Sequence, residues 1–323
     1  MPDITVQTVF NERKDFLLLT LLNSEEGLKK RVETAEILRP GLALAGFLDR
    51  FTAIRTQILG QTEMAYVTSI SRESLVENLE KIITPHTPMI IISKGIIPPK
   101  EMLALADRKK TAVFSSRLST TELISRLSAY LDNKFAPTIT VHGTLVDVYG
   151  VGLLYTGKSG VGKSECALDL IERGHRLVAD DVIKITRKSA NYIVGTSSQL
   201  LGQHMEVRGI GIIDIQALFG IRAIRLQKRI EVEVRLQYWE DTAHYERLGI
   251  EDKYTSILGV EIPMVTIPVS PGKNITVISE VIAMNHMLKV YGEHSAQDFS
   301  KRLSEKIASG SSMIQEYLES DME

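Results

Sequence analysis

Leu153-Leu-Tyr-Thr-Gly-Lys-Ser-Gly-Val-Gly-Lys-Ser-Glu-Cys-Ala-Leu-Asp-Leu-Ile171 is the stretch that decides the fold of the C-terminal half. Leu153–Thr156 is a short apolar run of strand type. Cys166–Ile171 continues as a helix with one apolar face, and Gly174 sits where a C′ glycine ends a helix. Between strand and helix, Gly157, Gly162, Lys163 and Ser164 satisfy the pattern G-x-x-x-x-G-K-S. Glycines let backbone N–H groups turn toward phosphate oxygens without side-chain obstruction. A helix beginning near Lys163 points its positive end at the same anion. The Lys163 ammonium can reach β- and γ-phosphates, and the Ser164 hydroxyl can take a magnesium position. Gly157, Lys158, Ser159, Gly160, Val161, Gly162, Lys163 and Ser164 are therefore the candidate phosphate cradle. A glycine loop also arises by chance; the strand before it and the helix after it favour the nucleotide reading.

Working outward, Arg176-Leu-Val-Ala-Asp-Asp-Val-Ile-Lys-Ile185 places two carboxylates, Asp180 and Asp181, in an otherwise apolar strand-like run. A buried carboxylate is costly without a cation or a hydrogen-bond partner. Neighbours on a strand face opposite ways, so one can meet phosphates as a base while the other handles metal or water. The plain alternative is an Asp-Asp turn between short strands. Met205-Glu-Val-Arg-Gly-Ile-Gly-Ile-Ile-Asp214 pairs Glu206 with Arg208, and Gly209 and Gly211 allow close backbone approach. By itself this is a glycine-containing strand with a solvated ion pair. Pro268-Val-Ser-Pro-Gly-Lys273 is by itself a turn with an exposed lysine. Taken alone, His142 reads as a structural histidine, Arg247 as a surface arginine and Cys166 as packing.

The remainder of the chain sets bounds. A length of 323 residues suggests two domains, each able to bury a core. Hydrophobic content of 44% and charged content of 24% are those of a globular protein. The net charge of −2 gives no electrostatic reason to expect nucleic acid or an anionic membrane as the main partner. The single cysteine permits no intramolecular disulfide; no signal-peptide pattern opens the chain, and no run of about 18 apolar residues spans a membrane. A soluble cytoplasmic protein is expected.

Residues 1–133 read as an α/β domain. Tyr66–Ile70, Pro88–Ile92 and Thr111–Ser115 are strand-like. Glu73–Ile83, a stretch after Pro98-Pro99, and Leu123–Tyr130 behind the Ser119–Glu122 capping signal are helical. Asp132–Thr138 reads as a linker, and 138–323 as a second domain. In it Thr138–Val148 reads as one strand and Arg229–Trp239 as another. Helices are expected from about Glu280 to Tyr291 and from Ser295 past Ile314.

Five segments occur in one order: His142-Gly-Thr-Leu-Val-Asp-Val-Tyr-Gly-Val-Gly152, the loop with Glu165, His175-Arg-Leu-Val-Ala-Asp-Asp181, Met205–Ile215 and Pro271-Gly-Lys-Asn274. This ordered set resembles bacterial HPr kinase/phosphorylase. The resemblance implies an N-terminal α/β domain joined to a P-loop kinase domain similar to phosphoenolpyruvate carboxykinase. It implies a bifunctional enzyme that phosphorylates a serine of the phosphocarrier HPr with ATP or pyrophosphate and Mg²⁺. With inorganic phosphate as acceptor, the enzyme would remove that phosphate as pyrophosphate. It further implies a homohexamer and a part in carbon catabolite repression and sugar uptake.

The same resemblance assigns roles by position. Lys163 stabilises charge, and Ser164 and Glu206 hold Mg²⁺. Asp181 accepts the serine proton and returns it in the reverse reaction, with Asp180 assisting. His142 tunes Asp181, and Arg247 stabilises the transferring phosphoryl group. Met205, Glu206, Val207, Arg208, Gly209, Ile210, Gly211, Ile212, Ile213 and Asp214 form the signature segment. Pro268, Val269, Ser270, Pro271, Gly272 and Lys273 match a loop of the dephosphorylation step. Lys158 stands where members often carry an acidic residue, and Ser270 and Lys273 stand where they often carry arginines. Lys273 keeps the charge without the bidentate fork.

Two other readings compete. A metabolite enzyme of the carboxykinase type would act on oxaloacetate and not on HPr. A P-loop ATPase or nucleotide-gated interaction module would bind nucleotide and yield no phosphoprotein.

Overall fold

The computed structural model describes residues 4–197, 204–239, 253–270, 272–294, 297–298, 301–302 and 304–305. The chain divides into two compact units, residues 1–136 and 137–323.

The first unit runs α1 (Val6–Arg13), β1 (Leu19–Leu21), β2 (Ile37–Leu38), α2 (Gly41–Leu44), β3 (Thr56–Leu59), α3 (Gln61–Ser69), α4 (Arg72–Ile82), β4 (Met89–Ile92), α5 (Lys100–Arg108), β5 (Ala112–Ser116) and α6 (Thr120–Phe135). Its sheet has the order β1-β5-β4-β3-β2, parallel except for β1. β4 shows why a continuous apolar run suits a strand covered on both sides. Met89 and Ile91 join one core with α1 and α6, while Ile90 and Ile92 join another with α2 to α5.

Two expectations fail here. Tyr66–Ile70 is not a strand: Gln61–Ser69 is α3, with Met64 and Val67 buried at helical spacing. Glu63 closes its first turn by accepting from the Gly60 N–H, and this local start signal outweighs the β propensity of Tyr66 and Val67. Nor does a linker begin at Asp132, because α6 runs to Phe135, which packs on the same core as Leu127 and Tyr130.

The second unit runs β6 (Thr138–His142), β7 (Thr144–Val148), β8 (Val151–Thr156), α7 (Lys163–Glu172), β9 (Arg176–Ala179), β10 (Val182–Ser189), β11 (Tyr192–Ser197), β12 (His204–Val207), β13 (Gly211–Asp214), α8 (Ile215–Phe219), β14 (Gln227–Arg229), β15 (Val232–Tyr238), β16 (Lys253–Ile257), β17 (Val260–Val269) and α9 (Ile275–Val290). A six-stranded sheet has the order β16-β17-β15-β8-β7-β9, and a four-stranded sheet the order β14-β11-β10-β6. Alternation along β8 connects them. Leu153 and Tyr155 join a core with α7, α9 and the β12–β13 hairpin, while Leu154 joins a core with the four-stranded sheet. β8, β15 and β17 are parallel, so Thr156, Tyr238 and Val269 end at one edge.

Thr138–Val148 is not one strand. It breaks at Gly143 into β6 and β7, which belong to different sheets. A Cβ at Gly143 would lie 2.4 Å from the Tyr155 carbonyl oxygen, so only glycine lets the chain cross there. Arg176–Ile185 likewise breaks, at Asp180-Asp181, into β9 and β10. The helix expected from Glu280 starts earlier, at Ile275, with the Asn274 side chain accepting from the Val277 N–H. The helix expected from Ser295 past Ile314 lies largely outside the described residues. Among the described residues no helix is long and apolar enough to cross a membrane.

Candidate active site

The site grows from the junction of β8 and α7. Gly157 follows the last residue of β8 with φ +139°, and a Cβ there would lie 2.3 Å from the Leu236 carbonyl oxygen of β15. Glycine is thus required twice over, by conformation and by space. Gly162, with φ +100°, occupies the N-cap of α7 and supplies no side-chain cap. The N–H groups of the first helical turn are therefore not covered by a capping side chain, as an anion site requires. The Lys163 ammonium donates to the carbonyl oxygens of Gly157 and Lys158, each at 3.2 Å, and so lies across the loop. Lys158, Ser159 and Gly160 are exposed, while Val161 is buried in the core.

Two side chains from outside the loop fix its apex. The Tyr238 hydroxyl, at the end of β15, donates to the Gly160 carbonyl at 3.0 Å. The Arg208 guanidinium lies 2.6 Å from the place a Gly160 Cβ would occupy. Arg208 is carried by the β12–β13 hairpin, which buries Met205 and Val207 in the core and leaves Glu206 exposed on the opposite face. Beyond Arg208, Gly209, Ile210, Gly211 and Ile212 are exposed and Ile213 packs against the core. Asp214 has a local duty: it caps α8 by accepting from the Ala217 N–H at 3.0 Å.

The two aspartates occupy the bend between β9 and β10, so the turn alternative describes their backbone. Asp180 is buried at 5% exposure, and its Oδ1 accepts from Thr144 Oγ1 at 2.6 Å and from Ser164 Oγ at 3.2 Å. Its Oδ2 is buried and has no hydrogen-bond partner among the described residues. Burial pushes the Asp180 carboxyl above the usual carboxylate range, opposed by those two hydroxyl bonds, which favour the charged form. Asp181 is exposed and takes φ +64°, a left-handed conformation that Asp tolerates better than most residues. Its carbonyl accepts from the Gly143 N–H at 3.2 Å. His142 ends β6 opposite Val182, beside Asp181 in the chain path. The fold thus assembles the cradle, Asp180, Asp181 and His142 at one edge, with Asp180 the carboxylate that reaches the loop's serine.

Pro268 and Val269 end β17 at the same edge, where the Val269 carbonyl accepts from the Trp239 N–H. Ser270, Gly272 and Lys273 follow, with the Lys273 N–H donating to the Ser270 carbonyl; Pro271 lies outside the described residues. Arg247 lies outside them too. Sequence reasoning passes over Thr144, Tyr238 and a buttress in which Glu233 accepts from Thr156 at 2.6 Å and from Arg235. Nothing in their spacing marks them, because Thr144, Glu233 and Tyr238 meet partners 36, 77 and 78 residues away. Among the described residues no group of three or more His, Cys, Asp or Glu side chains could hold a metal. The Asp180 carboxylate, bonded to the Ser164 hydroxyl through Oδ1 and with Oδ2 unpartnered among the described residues, still suits a magnesium ion that takes most of its ligands from phosphate and water.

Comparison with known proteins extends the geometry. The model of the HPr Serine kinase C-terminal domain matches residues 133–303, and that of the HPr Serine kinase N terminus matches residues 4–131. The HPr kinase/phosphorylase of Geobacillus kaustophilus is 43% identical over 310 residues, covering 96% of this chain and 98% of the relative. That of Leptospira biflexa is 45% identical over 313 residues, covering 96% and 97%. The solved structure of the Hpr(Ser) kinase/phosphatase from Coxiella burnetii is 33% identical over 50% of this chain and 98% of that one, with a TM-score of 0.45.

Proposed function

The chain belongs to the HPr kinase/phosphorylase family and is an HPr serine kinase by that membership, and on this premise we propose that its cradle holds ATP or pyrophosphate for transfer to a serine of HPr. The observation that carries the reading is the bond from Ser164 to Asp180, whose second oxygen is buried and, among the described residues, unpartnered.

The residues divide the work. The N–H groups of Gly157–Ser164 bind the donor's phosphates, and Lys163 leaves its carbonyl contacts to pair with the β- and γ-oxygens. Ser164 and Asp180, with Glu206, are the groups that would hold Mg²⁺, which supplies charge neutralisation on the phosphates when bound. The Ser164 hydroxyl donates a hydrogen bond to Asp180 Oδ1, so its lone pairs face away from the carboxylate. Asp181, exposed at the bend, takes the proton from the HPr serine; in the reverse direction phosphate attacks the phosphorus of phosphoseryl-HPr, the serine oxygen leaves and takes that proton back from Asp181, and pyrophosphate is the product. His142, next to it along the β6–β10 pairing, sets its surroundings. Arg247 is assigned to the charge on the transferring group, and Pro268–Lys273 to the reverse reaction.

The proposal includes the remaining family features: a core like that of phosphoenolpyruvate carboxykinase, a hexamer, a cytoplasmic setting and control of sugar uptake through catabolite repression. Incubation of HPr with the protein and Mg-ATP should add one phosphate to a serine, read by mass spectrometry. Excess inorganic phosphate should then regenerate HPr and release pyrophosphate. HPr left unmodified by the wild-type protein would overturn the kinase reading; phosphoserine that persists in phosphate would overturn the reverse one.

A further inference from the structure

We propose that Thr144 is a positioning residue for phosphoryl transfer, acting through Asp180 on the Ser164 hydroxyl. The inference rests on the reading that Ser164 faces the donor's cation.

The break between β6 and β7 is the device. The segment His142-Gly143-Thr144 touches both aspartates: the Gly143 N–H donates to the Asp181 carbonyl at 3.2 Å, and Thr144 Oγ1 donates to Asp180 Oδ1 at 2.6 Å. The bend itself is closed by the Val182 N–H on the Asp180 carbonyl at 2.7 Å. Thr144 is fully buried, so its hydroxyl has no water to exchange with and its hydrogen bond stays directed at Asp180. A hydrogen bond to a charged acceptor in a dry site is among the stronger kinds.

The consequence is directional. Asp180 Oδ1 receives two hydroxyl protons, from Thr144 and Ser164, and its rotation about the last side-chain bond is stopped. Among the described residues Oδ2 is left without a partner, and the Ser164 hydroxyl is held with its hydrogen inward. Without the Thr144 hydroxyl, the carboxylate can turn to share its oxygens between Ser164 and whatever fills the gap. The serine then loses its fixed orientation, while the loop backbone that binds phosphate is untouched. The defect should therefore appear in turnover and magnesium requirement, and not in the affinity for HPr.

The test is steady-state phosphorylation of HPr by the full-length protein in Mg-ATP, with magnesium titrated. Thr144→Val keeps shape and removes the hydroxyl; kcat should fall about tenfold to a hundredfold, the value of a hydrogen bond to a charged group. Half-activation should need more Mg²⁺, and KM for HPr should hold. Thr144→Ser restores the donor and should return kcat to within about threefold of wild type. Wild-type kcat and magnesium dependence in Thr144→Val would overturn the inference, as would equal losses in the Val and Ser variants. Should Thr144→Val melt as an unfolded protein, Thr144→Ala decides: an unimpaired Ala variant overturns the inference, and an impaired one rescued by Ser supports it. Ser164→Ala separates the two claims. Full activity there defeats the reading of Ser164 itself, whereas loss there with an unimpaired Thr144→Val defeats only the role of Thr144.

Discussion

The two ends of β8 carry clusters of charge that are completed in opposite ways. At the end remote from the cradle, Glu280 on α9 accepts from both Arg173 Nε and a terminal guanidinium nitrogen at 2.9 and 2.7 Å, and pairs with the buried His175 at 3.1 Å. Nearby, buried Asp147 pairs with Arg225. Each carboxylate there meets a cation: the Arg173–Glu280 pair joins the end of α7 to α9, and the Asp147–Arg225 pair holds β7 to the segment before β14. At the cradle end, among the described residues, the side-chain hydrogen bonds of Asp180 come from the neutral hydroxyls of Thr144 and Ser164, and the Lys163 ammonium bonds to carbonyl oxygens. Both clusters bury a carboxylate, so burial alone does not distinguish a site from a strut. What distinguishes them is whether the protein supplies the opposite charge. Among the described residues the cradle end pairs Asp180 with no cation, the pattern expected of a cluster that meets a charged ligand rather than of a strut.

The largest effect should come from breaking the incomplete end. Lys163→Ala or Asp180→Asn should lower kcat for HPr phosphorylation by about a thousandfold or more, the scale of a lost electrostatic stabiliser in phosphoryl transfer. Thermal melts of both variants should stay close to wild type. Breaking the complete end should do the reverse. Glu280→Gln should cost about 1–2 kcal/mol of stability, discounted because Arg173 is half exposed and its charge is screened. Its kcat should stay within about twofold of wild type, a surplus of stability over activity effects typical of structural pairs.

Acid sharpens the same contrast. Hydrogen bonds from Arg173, then His175, hold the Glu280 carboxyl down to about 2 from its ordinary 4.5. Its folded value lies below its unfolded one, so its contribution is complete above about pH 4.5. The contribution is lost as pH falls from there toward about 2. Chemical denaturation across that window should show wild type losing stability more steeply than Glu280→Gln. The smallest effect concerns Cys166, at the core side of α7, whose thiol burial pushes up to about 11. Native protein should resist alkylation at about pH 8 and react only on unfolding, because the thiolate is the nucleophile.

The sequence made the cradle legible because one local segment does several jobs. The strand, the glycines and the helix start lie within twenty residues, and each has its own physical signature. Asp180 and Asp181 were visible as a pair, yet which one meets Ser164 was not. That depends on the break at Gly143, which sequence pattern reads as continuous strand because Thr138–Val148 is rich in β-branched residues. Tyr238 and Thr144 stayed hidden because their partners stand 78 and 36 residues away. In the first unit, the aromatic and β-branched residues of Tyr66–Ile70 give a strand-like pattern that masks the end of a helix set by Glu63. Periodicity reports what a segment buries; it does not report what a neighbouring strand brings to it.

The most direct measurement is the rise in melting temperature on adding saturating Mg-ATP, compared across wild type, Asp180→Asn and Glu280→Gln. A ligand at about 100 times its Kd stabilises the folded state by about 2.7 kcal/mol, a shift easily read. Wild type and Glu280→Gln should gain it, the latter from a lower starting point, and Asp180→Asn should lose most of it. Undiminished stabilisation of Asp180→Asn by Mg-ATP would contradict the account.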